Sequence, residues 1–290
     1  MNILFVHGRS QQGKIVSELE SEWNRALDKG FNHAGVARPS GVRTVMPFYG
    51  DDLDRLVREL DTPLAADVAS RGGADFDREE MEFMLAVYSA MANGYGIPEA
   101  NIAEEMDVAP AERGPMNWRW VHAVLRALDD TPLGAKAIDR FTRDVFVYLT
   151  NPAVRRHINK IVLDCLTPGQ WVVVSHSLGT VVAFNVLRSL ATASGITVPL
   201  FVTLGSPLGI EPVRDHLATP LDRPGCVKQW YNAYDPRDVV SLYALEAPAW
   251  DLRPPIANHK KVKNWTDNRH GIIGYLDDRL VAAEIEKALK

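Results

Sequence analysis

The stretch Gln170-Trp171-Val172-Val173-Val174-Ser175-His176-Ser177-Leu178-Gly179-Thr180-Val181-Val182 decides the fold. Its first half is an apolar, β-branched run, the pattern of a strand buried on both faces. The chain then turns on small residues. It continues with Leu178, Val181, Val182, Phe184, Val186, Leu187 and Leu190, a spacing that predicts a helix packed on most sides. A strand that breaks abruptly into a helix puts the residue at the break, Ser177, on a strained turn with its hydroxyl exposed above the sheet. Strand and helix backbones nearly touch at such an elbow, so the flanking residues must be small. Gly179 meets that need. Ser175 stands where the usual G-x-S-x-G pattern has glycine, so the motif here is S-x-S-x-G. The N-terminus of the following helix points back at Ser177, and its dipole stabilises negative charge developing there.

Together with Phe201-Val202-Thr203-Leu204-Gly205-Ser206-Pro207-Leu208, this segment resembles the elbow and next strand of the α/β-hydrolase superfamily, more narrowly its lipase-like members with a serine nucleophile. The resemblance implies an α/β fold with a mostly parallel central sheet flanked by helices. It also implies a set of partners following in the order Ser, Asp, His.

Composition sets bounds on this reading. The chain has 290 residues, 46% of them apolar and 24% charged, enough for one large α/β domain or one domain with an insertion. A net charge of −5 with no long basic run argues against a nucleic-acid surface. Cys165 and Cys226 do not make a disulfide framework and read as core or near-core thiols. No signal peptide is expected ahead of the first strand, and no apolar run approaches bilayer length, so a cytoplasmic protein is expected. Without an H-x-x-x-H or Cys/His cluster, neither a metal nor a cofactor is expected.

Asn2–Val6 forms the first strand. It runs into His7-Gly8-Arg9-Ser10-Gln11-Gln12-Gly13-Lys14 and then a helix through about Lys29, with Trp23 and Leu27 inward. Two readings compete for this loop. Gly8 to Lys14 matches the phosphate-cradling G-x-x-x-x-G-K, but Ile15 occupies the position of the magnesium-binding Ser or Thr. In the hydrolase reading, a backbone N–H of the Arg9 region joins that of Leu178 to form an oxyanion hole, and this reading is preferred.

Gly41–Tyr49 is expected as a second strand leading to a loop at Gly50-Asp51-Asp52, with Phe48 and Tyr49 near the site or simply in the core. Residues 52–140 do not look like sheet. They are expected to form a helical insertion, able to serve as a lid, between the two parts of a core at 1–51 and 141–290. Met81, Met84, Leu85, Tyr88 and Met91 fall at helical spacing, as do Trp118, Val121, Leu125 and Leu128. Such stripes can line an acyl pocket, although core packing explains most of them. Gly94, Gly96, Pro98, Pro110, Gly114 and Pro115 break the region. Helices follow at 135–149 and 153–166, split at Asn151-Pro152. Further strands are expected at 199–204 and, as the last, 227–234, with a final helix at 272–289.

A serine hydroxyl needs a base, and the base needs an acceptor that holds its tautomer. Asp235 and Asp238 both follow the last expected strand. Asp238, ahead of Val239-Val240, is similar to the Asp-Val segment of lipases and is preferred, whereas Asp235 before Pro236 suits a turn cap. Only His259 and His270 follow the acid. His259 sits among lysines on an expected solvated face. His270, beside Gly271 and just before the final helix, is preferred. His176 is expected to point away from the site as a structural residue. The expectation is therefore a serine hydrolase using Ser177, Asp238 and His270, with Arg9 and Leu178 at the oxyanion hole and a small-molecule acyl or lipid-like ester as substrate. A catalytically silent lipid- or partner-binding relative, and less so a P-loop nucleotide-binding protein, are the alternatives.

Overall fold

The valine run at 172–174 forms the middle of a six-stranded sheet. The computed structural model describes residues 1–67, 74–98, 102 and 118–290. The strands are β1 (Asn2–Val6), β2 (Arg43–Val45), β3 (Gly169–His176), β4 (Ile196–Leu204), β5 (Val227–Ala233) and β6 (Ala257–His259). They lie in the order β2-β1-β3-β4-β5-β6, and every neighbouring pair is parallel. A parallel sheet needs a crossover between consecutive strands; helices lie in each one from β1 to β5, whereas the β5–β6 crossover carries none.

Those helices are α1 (Val16–Ala34), α2 (Gly50–Asp67), α3 (Ala74–Tyr95), α4 (Trp118–Ala127), α5 (Ala135–Thr150), α6 (Pro152–Leu163), α7 (Leu178–Ser189), α8 (Glu211–Asp215), α9 (Ile273–Leu276) and α10 (Arg279–Leu289). None of the helices among the described residues is long and apolar enough to cross a membrane.

Successive side chains of a strand face opposite ways, so each strand feeds two cores. Ile3, Phe5, Val172 and Val174 pack with Trp23, Leu27 and Phe31 of α1 and with Val281 and Ile285 of α10. Leu4, Val6 and Val173 join Phe146, Ile158 and Val181 from α5, α6 and α7 on the other face. Each fully buried aliphatic side chain here contributes roughly 1.5–3 kcal/mol. The Met-rich stripe belongs to this second core. Met81, Met84, Tyr88 and Met91 are buried, and Phe83, Tyr88 and Met91 share a cluster with Leu4 and Val173. Of the other expected stripe, Val121 and Leu128 are buried in the same cluster. The breaks expected at Pro110, Gly114 and Pro115, and the side chain of Trp118, lie outside the described residues.

Several boundaries differ from the sequence reading, each for a local reason. β2 is only three residues long, and Gly50 starts a helix in place of the expected loop, with Asp51 and Asp52 in its first turn. Carboxylates there suit the positive end of the helix dipole. β6 is a short edge strand beyond β5, preceded by Pro254 and Pro255, and carries too little apolar pattern to be noticed. The C-terminal helix is broken at Asp277-Asp278, because the Asp278 carboxylate caps α10 by accepting from the N–H groups of Leu280 and Val281. The split at 151–152 stands as expected, with Asn151 capping α6 and Pro152 in its first turn.

The strand order has one further consequence. From β1 the chain steps outward to β2, then returns to lay β3 on the opposite side of β1 and proceeds to β6. The two halves thus diverge between β1 and β3, and a crevice opens at the carboxyl ends of those two strands.

Candidate active site

Register brings the two loops of that crevice together. Val6 pairs with Ser175, so the residues just after β1 meet the residues just after β3. Ser177 is the turn between β3 and α7, with φ 56° and ψ −132°. This is a left-handed conformation that costs a non-glycine residue of the order of 1–3 kcal/mol. Two glycines make the corner possible. A Cβ on Gly179 would lie 2.3 Å from the His7 carbonyl oxygen and 2.4 Å from that of Val6. One on Gly8 would lie 2.8 Å from the Ser177 Cβ. The side chain of Ser175 fits because its hydroxyl donates to the Val202 carbonyl on β4, at 2.8 Å. Thr180 closes the corner from the helix side by donating to the Ser177 carbonyl at 2.7 Å.

The structure brings Ser177, His270 and Asp238 into one hydrogen-bonded chain. The Ser177 Oγ lies 2.8 Å from His270 Nε2, and His270 Nδ1 lies 2.7 Å from Asp238 Oδ2. A carboxylate only accepts, so Nδ1 carries the ring proton and Nε2 is left as acceptor for the serine hydroxyl. All three side chains are buried, Asp238 completely. Asp238 sits on the turn after β5, and its Oδ1 accepts from the Val240 N–H at 3.0 Å.

His270 is delivered by a loop tied to itself. Asn268 Oδ1 accepts from the His270 N–H, Thr266 Oγ1 accepts from the Gly271 N–H, and Asn264 Nδ2 donates to the Gly271 carbonyl. Asp235 does more than cap its turn. Fully buried, it accepts from Arg237 through backbone and guanidinium and also from the Asn264 N–H at 2.8 Å. One carboxylate therefore joins the acid turn to the histidine loop.

Leu178 and Arg9, the expected oxyanion pair, flank this chain. Leu178 begins α7, and the first N–H groups of a helix have no acceptor within it. Arg9 follows Gly8 and lines the same cavity as Ser177, its guanidinium fixed by Asp144 of α5 at 2.6 Å. His7 shapes this loop. Its Nε2 accepts from the Tyr49 N–H and its Nδ1 donates to the Gly8 carbonyl, while the Tyr49 ring stacks on it at 4.0 Å. Burial holds the His7 imidazole down at about 4, neutral. Tyr49 therefore supports the site from the core and does not line it, and Phe48 packs on the opposite core.

The cavity over Ser177 measures about 520 Å³. Its apolar walls are Leu19, Trp23, Phe141, Ile272 and Ile273, and Lys14, Glu22 and Asn268 supply polar edges. The Met stripe of α3 takes no part in it.

Two expectations about histidines change. His259 lies on β6 at 3.4 Å from an Asp278 carboxylate oxygen and is largely covered, in contrast to the solvated face expected for it. His176 does not point away from the site. It lines the cavity, and its Nε2–H donates to the His270 carbonyl at 2.7 Å, the two rings 4.8 Å apart. Burial, then the neighbouring His270, hold it at about 3. Tyr275, whose hydroxyl reaches Asp238, carries no motif and was not foreseen. A donor that arrives from a separate helix leaves no spacing to detect.

Comparison with protein-family models, with curated proteins and with solved structures finds no match to this chain.

Proposed function

We propose that the protein is a serine hydrolase of the α/β-hydrolase type that cleaves a carboxylic acyl ester. The observation that carries this reading is the chain Ser177–His270–Asp238, with both links within 2.8 Å and the serine held on a strained turn at the end of β3. In this reading Ser177 Oγ attacks the acyl carbonyl while His270 Nε2 takes its proton. The N–H groups of Leu178 and Arg9 hold the oxyanion that forms. His270 returns the proton to the departing alcohol, which leaves the acyl group on Ser177. Water, deprotonated by the same imidazole, then releases the acid. Asp238 keeps the imidazole in the required tautomer and offsets its transient positive charge. Apolar cavity walls beside polar edges suit an acyl chain joined to a more polar alcohol.

The nucleotide alternative draws less support. In the Gly8–Lys14 loop, the Gly13 N–H already donates to the Asp51 carboxylate at 2.6 Å, where a phosphate would need a free donor.

Acyl esters of graded chain length, offered to the wild type and to Ser177→Ala, test the proposal, alongside labelling by a fluorophosphonate probe. Turnover and labelling lost in a folded Ser177→Ala are expected. Esters left intact by the wild type, with no label on Ser177, would favour a silent binding protein. Thermal stabilisation by ATP or GTP would favour the nucleotide reading.

A further inference from the structure

The Asp238 carboxylate accepts three hydrogen bonds. Its Oδ1 accepts from the Val240 N–H. Its Oδ2 accepts twice, from His270 Nδ1–H at 2.7 Å and from the Tyr275 hydroxyl at 2.5 Å. Tyr275 lies on α9 and is completely buried. A phenol has one proton to give, and here it goes to Asp238. The Ser241 hydroxyl and the Asp235 N–H, each 3.3 Å from the Tyr275 oxygen, must therefore donate to it. Two donors behind the phenol aim its proton forward. Burial, reinforced by the Asp238 charge, pushes its ionisation well above the ordinary range, so the proton stays in place. The floor is built for this meeting. Gly205 has φ +55°, and a Cβ there would lie 3.0 Å from Tyr275 Cε2, 3.1 Å from Asp238 Oδ2 and 3.2 Å from His270 Cε1.

We infer that Tyr275 is a positioning residue of this site: by sharing the carboxylate oxygen that holds His270, its hydroxyl fixes the plane of Asp238 and disperses its charge. The catalytic consequence rests on the serine-hydrolase reading, but control of the Asp238–His270 bond is measurable without substrate. A carboxylate relieved of one donor holds more charge on Oδ2 and stabilises a protonated His270 better. The base then resists giving its proton up, and less of it is neutral at pH 7. The groups facing this pair are Tyr275 from α9, His176 from the end of β3 and the Asp235–Arg237 ion pair on the acid turn.

The test is an NMR titration of His270 in ring-labelled full-length protein, its signal assigned by His270→Gln. In Tyr275→Phe the midpoint of His270 should rise by roughly half to one pH unit. The acid limb of kcat/KM should move with it, and kcat at pH 7 should fall about tenfold with little change in KM. If Tyr275→Phe does not fold, 3-fluorotyrosine at position 275 keeps the ring and makes a stronger donor, so the midpoint must move down. An unchanged His270 midpoint in the folded variants would overturn the inference and leave Tyr275 as packing alone. A shifted midpoint in a protein that hydrolyses no ester would sustain this inference while removing the proposed function.

Discussion

Gly8 faces Ser177 so closely that a methyl group on residue 8 would stand 2.8 Å from the Ser177 Cβ and 3.3 Å from its Oγ. No flexible side chain is there to yield, so either the loop after β1 or the elbow must shift. Gly8→Ala is expected to cost about 1–3 kcal/mol in stability. It should also lower kcat/KM on an ester about a hundredfold, the usual penalty for a misplacement near 1 Å. Urea unfolding with ester kinetics measures both, and full turnover by the folded variant would show that the loop does not hold the serine.

Backbone strain at Ser177 should be recoverable as stability. Ser177→Ala removes the hydroxyl but keeps the Cβ at φ 56°. Ser177→Gly removes the Cβ as well, at some cost in chain entropy. Both variants should be inactive, with the glycine variant the more stable of the two by about 1 kcal/mol. Equal urea midpoints would mean that the elbow stores no strain.

Two buried imidazoles set an acid dependence. Burial pulls His7 from 6.5 to about 4 and His176 from 6.5 to about 3. Unfolded, both take up a proton near pH 6.5, whereas folded they resist it. The unfolded state thus binds more protons between those values. The stability these groups contribute is complete above about pH 6.5. It is lost as pH falls from there, down to about 4 for His7 and about 3 for His176. The loss from each is of the order of a few kcal/mol. His176→Gln should flatten its share of the decline in urea midpoint between pH 7 and pH 4, and an unaltered slope would contradict the assignment.

Asp235 ties two loops, so its removal should be felt at a distance. Asp235→Ala leaves the Asn264 N–H without its acceptor in a buried place and frees Arg237, which can turn to solvent. A loss of about 2–3 kcal/mol is expected, chiefly for the orphaned amide. Faster amide hydrogen exchange should appear at residues 264–271. Exchange confined to the acid turn would show that the two loops are held separately.

How much of this was legible depended on where the signal lay along the chain. β3 and α7 announce themselves because buried strands and helices require runs of apolar residues, and Ser177 falls at the break. Chain order narrowed the choice to two aspartates and two histidines, and neighbouring residues separated Asp238 from Asp235 and His270 from His259. Tyr275 and the inward turn of His176 were not legible, since both act through single hydrogen bonds between segments remote in sequence. β6 was hidden by its brevity, and the break at Asp277-Asp278 by an apolar pattern that runs through it.

The strand order also governs when the site can exist. β1 and β3 are neighbours in space, yet well over a hundred residues of chain separate them, and His270 comes from a loop beyond the final strand. Contacts between such remote segments form slowly, because long loops must close first. A nascent chain could therefore build its sheet through β5 while Ser177 still lacked its hydrogen bond to His270. Ser177 acquires its imidazole partner only when the C-terminal segment closes over the crevice, so under the proposed function a half-made molecule is inert.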